Sequence, residues 1–163
     1  MRRRLLLGAA CFVSLSGCGF ALKRAPELSF KTIQLAGFPA RSPLAAELRN
    51  QLEASPTTRV VESASEAQVV LQALSEAREK VVVASTSAGQ VTEFQLRARF
   101  RFRLRTIGGK ELIPSTEIVQ SRDMSYTERA ALGKEQEEAT LYRAMQTDIV
   151  SQVMRRLASV HGV

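Results

Sequence analysis

Residues Phe94 to Arg105 read FQLRARFRFRLR. Phe94, Leu96, Ala98, Phe100, Phe102 and Leu104 occupy the even positions. Gln95, Arg97, Arg99, Arg101, Arg103 and Arg105 occupy the odd ones. Successive side chains of a β-strand point to opposite faces, so a period of two sorts these residues cleanly. A helix would scatter both sets around its circumference. The stretch therefore predicts a strand over 91–106 with one apolar face and one arginine face. The apolar face must be covered.

The flanking sequence supplies the neighbours. Thr86 to Gln90 contains Gly89 and reads as a hairpin turn, and Gly108-Gly109 as the next one. Before the first turn, Ala67 to Ala84 reads as a long strand. Val69, Leu71 and Ala73 share one face, and Val81 and Val83 resume that parity. After the second turn, Glu111 to Met124 reads as a strand in which Pro114 implies an edge or a bulge. Three strands joined by short turns form an antiparallel meander.

The cover comes from two helices. Arg41-Ser42-Pro43 opens the first, with Ser42 at the N-cap and Pro43 in the first turn. Leu44, Leu48 and Leu52 recur at helical spacing, and Ser55-Pro56 ends it. Lys134 to Val160 predicts the second, with Gly133 at its boundary. Its stripe is Tyr142, Met145, Ile149, Val153, Leu157 and Val160. Phe30 to Phe38 reads as a strand ahead of the first helix, and Arg59 to Glu62 as a further short one. The order βα(β)βββα predicts an α+β fold: two helices on one face of a roughly four-stranded, largely antiparallel sheet.

Successive same-face side chains stand about 7 Å apart, so five arginines in file repel one another unless acids lie beside them. A turn centred near Ser87-Ala88 places Arg99 opposite Glu76, and adds Arg78 and Lys80 to the same face. A one-residue slip would change every partner. Two readings stay open. The file is a solvated face with cross-strand ion pairs, or it is a surface for phosphates or acidic protein groups, which arginine's planar fork suits. Catalysis finds no support. His161 is the sole histidine and sits near a terminus; no cysteine–histidine cluster suits a metal, and no Gly-rich phosphate loop follows a strand. Glu135, Glu137 and Glu138 suit a charged first helical turn.

The N-terminus has its own grammar. Arg2, Arg3 and Arg4 precede the short apolar stretch Leu5 to Leu15, then Leu15-Ser16-Gly17-Cys18. Basic, apolar and small residues in that order mark a secretion signal, and the stretch is shorter than the roughly 20 residues of a spanning helix. The run ending in Cys18 resembles the lipobox of bacterial lipoproteins, which implies cleavage before Cys18 and acyl chains on that cysteine. Gly19 follows it, in place of the aspartate that marks inner-membrane retention, and this implies outer-membrane sorting. The expected layout is a signal peptide over 1–17, a lipidated tether over 18–28 and one α+β domain over 29–163. Loss of the three signal arginines lowers the net charge from +7 to +4. An exported, mildly basic domain meets anionic lipid or protein surfaces, not nucleic acid. Cys11 leaves with the signal and Cys18 is acylated, so no disulfide is expected within the mature chain. No cofactor is expected beyond the covalent lipid.

Leu-Ser-Gly-Cys-Gly-Phe at 15–20, the strand and proline-led helix after it, and Leu132-Gly133-Lys134-Glu135-Gln136-Glu137-Glu138-Ala139 stand together in one chain. The last run continues through Leu141-Tyr142-Arg143, Met145 and Asp148 to Arg155-Arg156-Leu157. This combination resembles the LptE family of lipopolysaccharide-assembly lipoproteins. The resemblance implies two helices on a four-stranded sheet and a non-enzymatic role. It also implies a plug in the lumen of the outer-membrane β-barrel LptD, and help in delivering lipopolysaccharide to the outer leaflet. Basic residues bind lipopolysaccharide in some members, which makes Arg97, Arg99, Arg101, Arg103 and Arg105, with Arg78 and Lys80, candidates for lipopolysaccharide or partner binding.

Overall fold

The computed structural model describes residues 27–162. The expected signal segment, Cys18 and most of the tether lie outside these residues. Strand β1 spans Thr32–Ala36, helix α1 Pro43–Glu53 and strand β2 Arg59–Val61. The long strands β3, β4 and β5 span Val69–Ser85, Val91–Thr106 and Glu111–Ser125, and helix α2 spans Ala131–Ala158. One sheet runs in the order β2-β1-β3-β4-β5. The meander β3-β4-β5 is antiparallel, as its short turns require. Among the described residues the sheet has five strands, one more than expected, because Arg59–Val61 joins its edge. It runs parallel to β1, a pairing made possible by the crossover through α1.

Both helices lie on the apolar side of β4, where Leu96, Phe100, Phe102 and Leu104 are wholly buried. Leu44, Leu48 and Leu52 of α1 join that core, as do Tyr142, Met145, Ile149, Val153 and Leu157 of α2. Val160, just past the helix, also joins it. Ser42 caps α1 as expected: its Oγ accepts from the Ala45 N–H at 3.0 Å. Helix α2 starts three residues before Lys134, so Gly133 lies inside its first turn. Leu28 and Phe30 are also buried, so the chain is already part of the core where β1 begins.

Two irregularities decide which way the long strands face. Pro114 lies in a bulge of the edge strand β5: one residue separates Phe102 from Leu104, but two separate their partners Thr116 and Ile113. Proline without an N–H fits that position, and it blunts an otherwise long exposed edge. The second irregularity is in β3. Ala73 pairs with Phe102, but Ser75 pairs with Arg101, so Leu74 is an extra, bulged residue. A bulge of one residue reverses the facing of everything beyond it. Val69 and Leu71 are buried, whereas Val81, of the same parity, turns to the other side opposite Gln95 and is 41% exposed; Val83 lies at a further irregularity and is 48% exposed. The expectation that Val81 and Val83 return to the core face is corrected on this ground. Beside the bulge, Gly37 ends β1 with φ +77°, and a Cβ there would lie 2.4 Å from the Ala73 carbonyl oxygen. Only glycine fits a position that is both left-handed and this close to backbone.

Candidate functional site: the arginine face

The face of β4 turned away from the helices carries the expected file. Arg97, Arg99, Arg103 and Arg105 are half-buried and Arg101 is exposed. Register lays the neighbours out in rows. Gln95 lies between Val81 and Asp123, and Arg97 between Glu79 and Ser121. Arg99 lies between Ala77 and Val119, and Arg101 between Ser75 and Glu117. Gln72 sits opposite Arg103, and Arg105 lies between Val70 and Glu111. Three acids, Glu79, Glu117 and Glu111, thus stand opposite arginines, and Asp123 opposite Gln95 at the end of the file, and this offsets the repulsion within it.

Close contacts are fewer than the register allows. The Arg99 guanidinium donates to Glu79 at 3.1 Å, the one ion pair of the file among the described residues. Arg103 donates through Nε and Nη2 to the Gln72 amide oxygen at 3.0 and 2.8 Å. Arg97 Nε donates to Gln95 at 2.7 Å, and Gln95 in turn to Asp123 at 3.1 Å. The Nε–H groups of Arg99 and Arg105 are occluded and have no acceptor among the described residues. An occluded donor without an acceptor is costly, so these guanidiniums lie on the sheet without using their full bonding capacity.

Three expectations about this face are corrected: the turn closes from Thr86 to Gln90 and so centres on Ala88, which moves each partner on the turn side of the Leu74 bulge by one residue. Glu76 does not oppose Arg99; it lies on the helix side, where its carboxylate accepts from the Ser42 hydroxyl at 2.7 Å. Arg78 and Lys80 do not extend the arginine face. Arg78 donates to Gln146 of α2 at 2.9 Å and stands 5.3 Å from the centre of the Tyr142 ring. Lys80 pairs with Glu138 at 2.6 Å and lies 4.3 Å over the Phe94 ring. The register inferred from the turn holds at the base of the hairpin, where Val69 meets Thr106 and Leu71 meets Leu104. It is displaced by one residue beyond Leu74.

Sequence reasoning missed the polar joint between the helices. Gln146, buried on α2, donates to Glu47 of α1 at 2.7 Å while accepting from Arg78; Thr147 donates to the other Glu47 oxygen at 2.8 Å. A glutamine beside Met145 within an apolar stripe was the available signal. Nearby, the Tyr142 hydroxyl donates to the Glu79 carbonyl at 2.7 Å. Burial, aided by the negative charge of Glu138, raises its pKa above the ordinary tyrosine value. His161 is exposed, and no group of three or more potential metal ligands exists among the described residues. No helix among them is long and apolar enough to cross a membrane.

Known structures share this arrangement. The NMR structure of an uncharacterized lipoprotein B from Nitrosomonas europaea matches with a TM-score of 0.73 and 29% identity, covering 86% of this chain and 91% of that one. Rare lipoprotein B from Shewanella oneidensis gives 0.67 and 21%, over 79% and 95% of the two chains. A minor lipoprotein from Acinetobacter baumannii gives 0.65 and 17%, over 82% and 94%, so these last two attest to the fold. No curated protein matches in sequence. The sequence pattern of one family, described as LptE, lipopolysaccharide-assembly, matches residues 30–157, from the first buried aromatic of the domain to the last buried leucine of α2. The chain belongs to the LptE lipopolysaccharide-assembly family.

Proposed function

We propose that this protein is an outer-membrane lipoprotein, held by acyl chains on Cys18, that plugs the lipopolysaccharide-export barrel LptD. In this reading it assists assembly of the barrel and takes part in delivering lipopolysaccharide to the outer leaflet. The observation that carries the reading is the family match across residues 30–157, since that family serves lipopolysaccharide assembly and not catalysis. The surface suits the task. A barrel of the outer membrane has a polar interior, so a plug must be charged and compact. Here the apolar residues of β4 are sealed under two helices, while the arginine file and its bordering acids face outward.

Affinity isolation of the tagged full chain from detergent-solubilised outer membrane, followed by mass spectrometry, tests the reading. It predicts a 1:1 complex with one large β-barrel. A second reading is a free, periplasm-facing lipoprotein that binds an anionic lipid or polymer. It draws on Arg101 and Arg105, which make no ion pair with an acid among the described residues. Recovery of the protein with lipopolysaccharide and no barrel would select it. Replacing Cys18 by Ala tests the anchor: the variant is expected to stay uncleaved and unlipidated. A wild-type mature protein without acyl chains would refute the anchor.

A further inference from the structure

We infer that the arginine face is a docking strip for an extended acidic protein segment with carboxylates at every second residue. The inference deepens the partner reading above, and rests on it only for the source of the segment.

The first argument is spacing. Arg97 to Arg105 lie in single file on one strand, about 27 Å end to end at roughly 3.4 Å per residue. Adjacent heads recur about every 7 Å, the same-face repeat of any other extended chain. A segment lying along β4 with acids on alternate residues therefore meets one arginine per acid without stretching. A single phosphate group asks for donors converging on one point, and five heads spread along a line do not converge.

The second argument is relief. On the β3 side, Ser75 and Ala77 stand opposite Arg101 and Arg99, and Ala36 of β1 stands opposite Gln72. These short side chains leave low ground in the middle of the β3 side, between Glu79 and Gln72. The bordering acids Glu111, Glu117 and Asp123 stand on β5, the other side of the file. They repel an acidic segment from that side, whereas the β3 side carries one acid, Glu79, whose charge Arg99 already meets. Val81 at one end and Val119 beside Arg99 are 41% and 48% exposed and offer apolar contacts. Such a mixture of arginine and exposed apolar side chains is typical of protein-binding surfaces.

The third argument is unspent bonding. Of the five arginines only Arg99 has a carboxylate partner among the described residues, and the Nε–H groups of Arg99 and Arg105 have no acceptor there. A carboxylate that takes a guanidinium side-on accepts from Nε and Nη together. A segment that lifts these side chains off the sheet relieves the occluded donors as it binds.

The test uses the full mature chain in detergent micelles and two fluorescent ten-residue peptides of identical composition. One alternates Asp and Thr; in the other the five Asp residues are contiguous. Anisotropy should show the alternating peptide binding about tenfold tighter. The double variant Arg101→Gln, Arg105→Gln should lose about tenfold of that affinity, with an unchanged circular-dichroism melt. The loss should shrink as salt rises. Equal binding of the two peptides, or wild-type affinity in the variant, overturns the inference. So does a variant effect seen only with lipopolysaccharide vesicles, which would assign the file to phosphates. The peptide assay needs no barrel, so its failure is distinct from a failure to recover a barrel with the tagged chain.

Discussion

The two faces of β4 share one backbone and differ in everything that stabilises them. On one face Leu96, Phe100, Phe102 and Leu104 are fully buried, and the neighbouring phenylalanine rings stack with centroids 5.4 Å apart. On the other, arginines of the same strand stay half-exposed and hold mainly amide or carboxylate neighbours. Burial of apolar area is worth about 25 cal/mol per Å², whereas exposed ion pairs contribute about 0–1 kcal/mol each. The fold thus depends on one face, which leaves the other free to carry function.

That contrast can be broken most severely from the covered side. Leu48→Asp or Ile149→Asp puts a carboxylate where the wild-type residue is 0% or 1% exposed. Large-to-small core changes alone cost about 2–5 kcal/mol, and an unpaired buried carboxylate adds to that. Either variant should lose its cooperative thermal transition; a wild-type melting temperature would show that the covered face does not hold the fold. Next comes Gly37→Ala, beside the bulge that turns the outer half of β3 over. Positive φ and a 2.4 Å approach to the Ala73 oxygen predict destabilisation by about 1–3 kcal/mol in chemical denaturation. An unchanged midpoint would mean that β1 does not press on the bulge.

Smaller effects sharpen the comparison at the helix ends and on the open face. Ser42→Ala removes both the N-cap bond to Ala45 and the bond to Glu76, and should cost about 0.5–2 kcal/mol. Ser42→Asp should keep the cap yet repel Glu76, so the pair of variants separates the two contacts by denaturation midpoint. Smallest is Arg99→Gln with Arg101→Gln. It removes one half-exposed ion pair and some repulsion within the file, so stability should change by about 0–1 kcal/mol in either direction. A loss of several kcal/mol would show that the arginines hold the sheet together, and would end their role as a free surface.

Much of this was legible in the chain. The alternation at 94–105, the Ser42-Pro43 helix start and the stripes Leu44-Leu48-Leu52 and Tyr142 to Leu157 each state their own burial, because one element with one covered face imposes one period. The outer half of β3 did not. From Glu76 to Val83 its residues are at most half-buried, so no strong apolar pattern reports which side is which.

The sequence by itself determined the α+β class, the meander, both helices and the presence of five arginines on one face of one strand. These follow from local periodicity and turn chemistry, which need no distant partner. Only the tertiary structure decided which other charges share that face. The Leu74 bulge, set against the close approach of Gly37 to Ala73, shifts the register by one residue. It sends Arg78, Lys80 and Glu76 to the helices and brings Glu79 to Arg99. One inserted residue reverses the facing of all that follow it, and the parity of the buried Val69, Leu71 and Ala73 does not reveal an insertion whose cause lies on another strand.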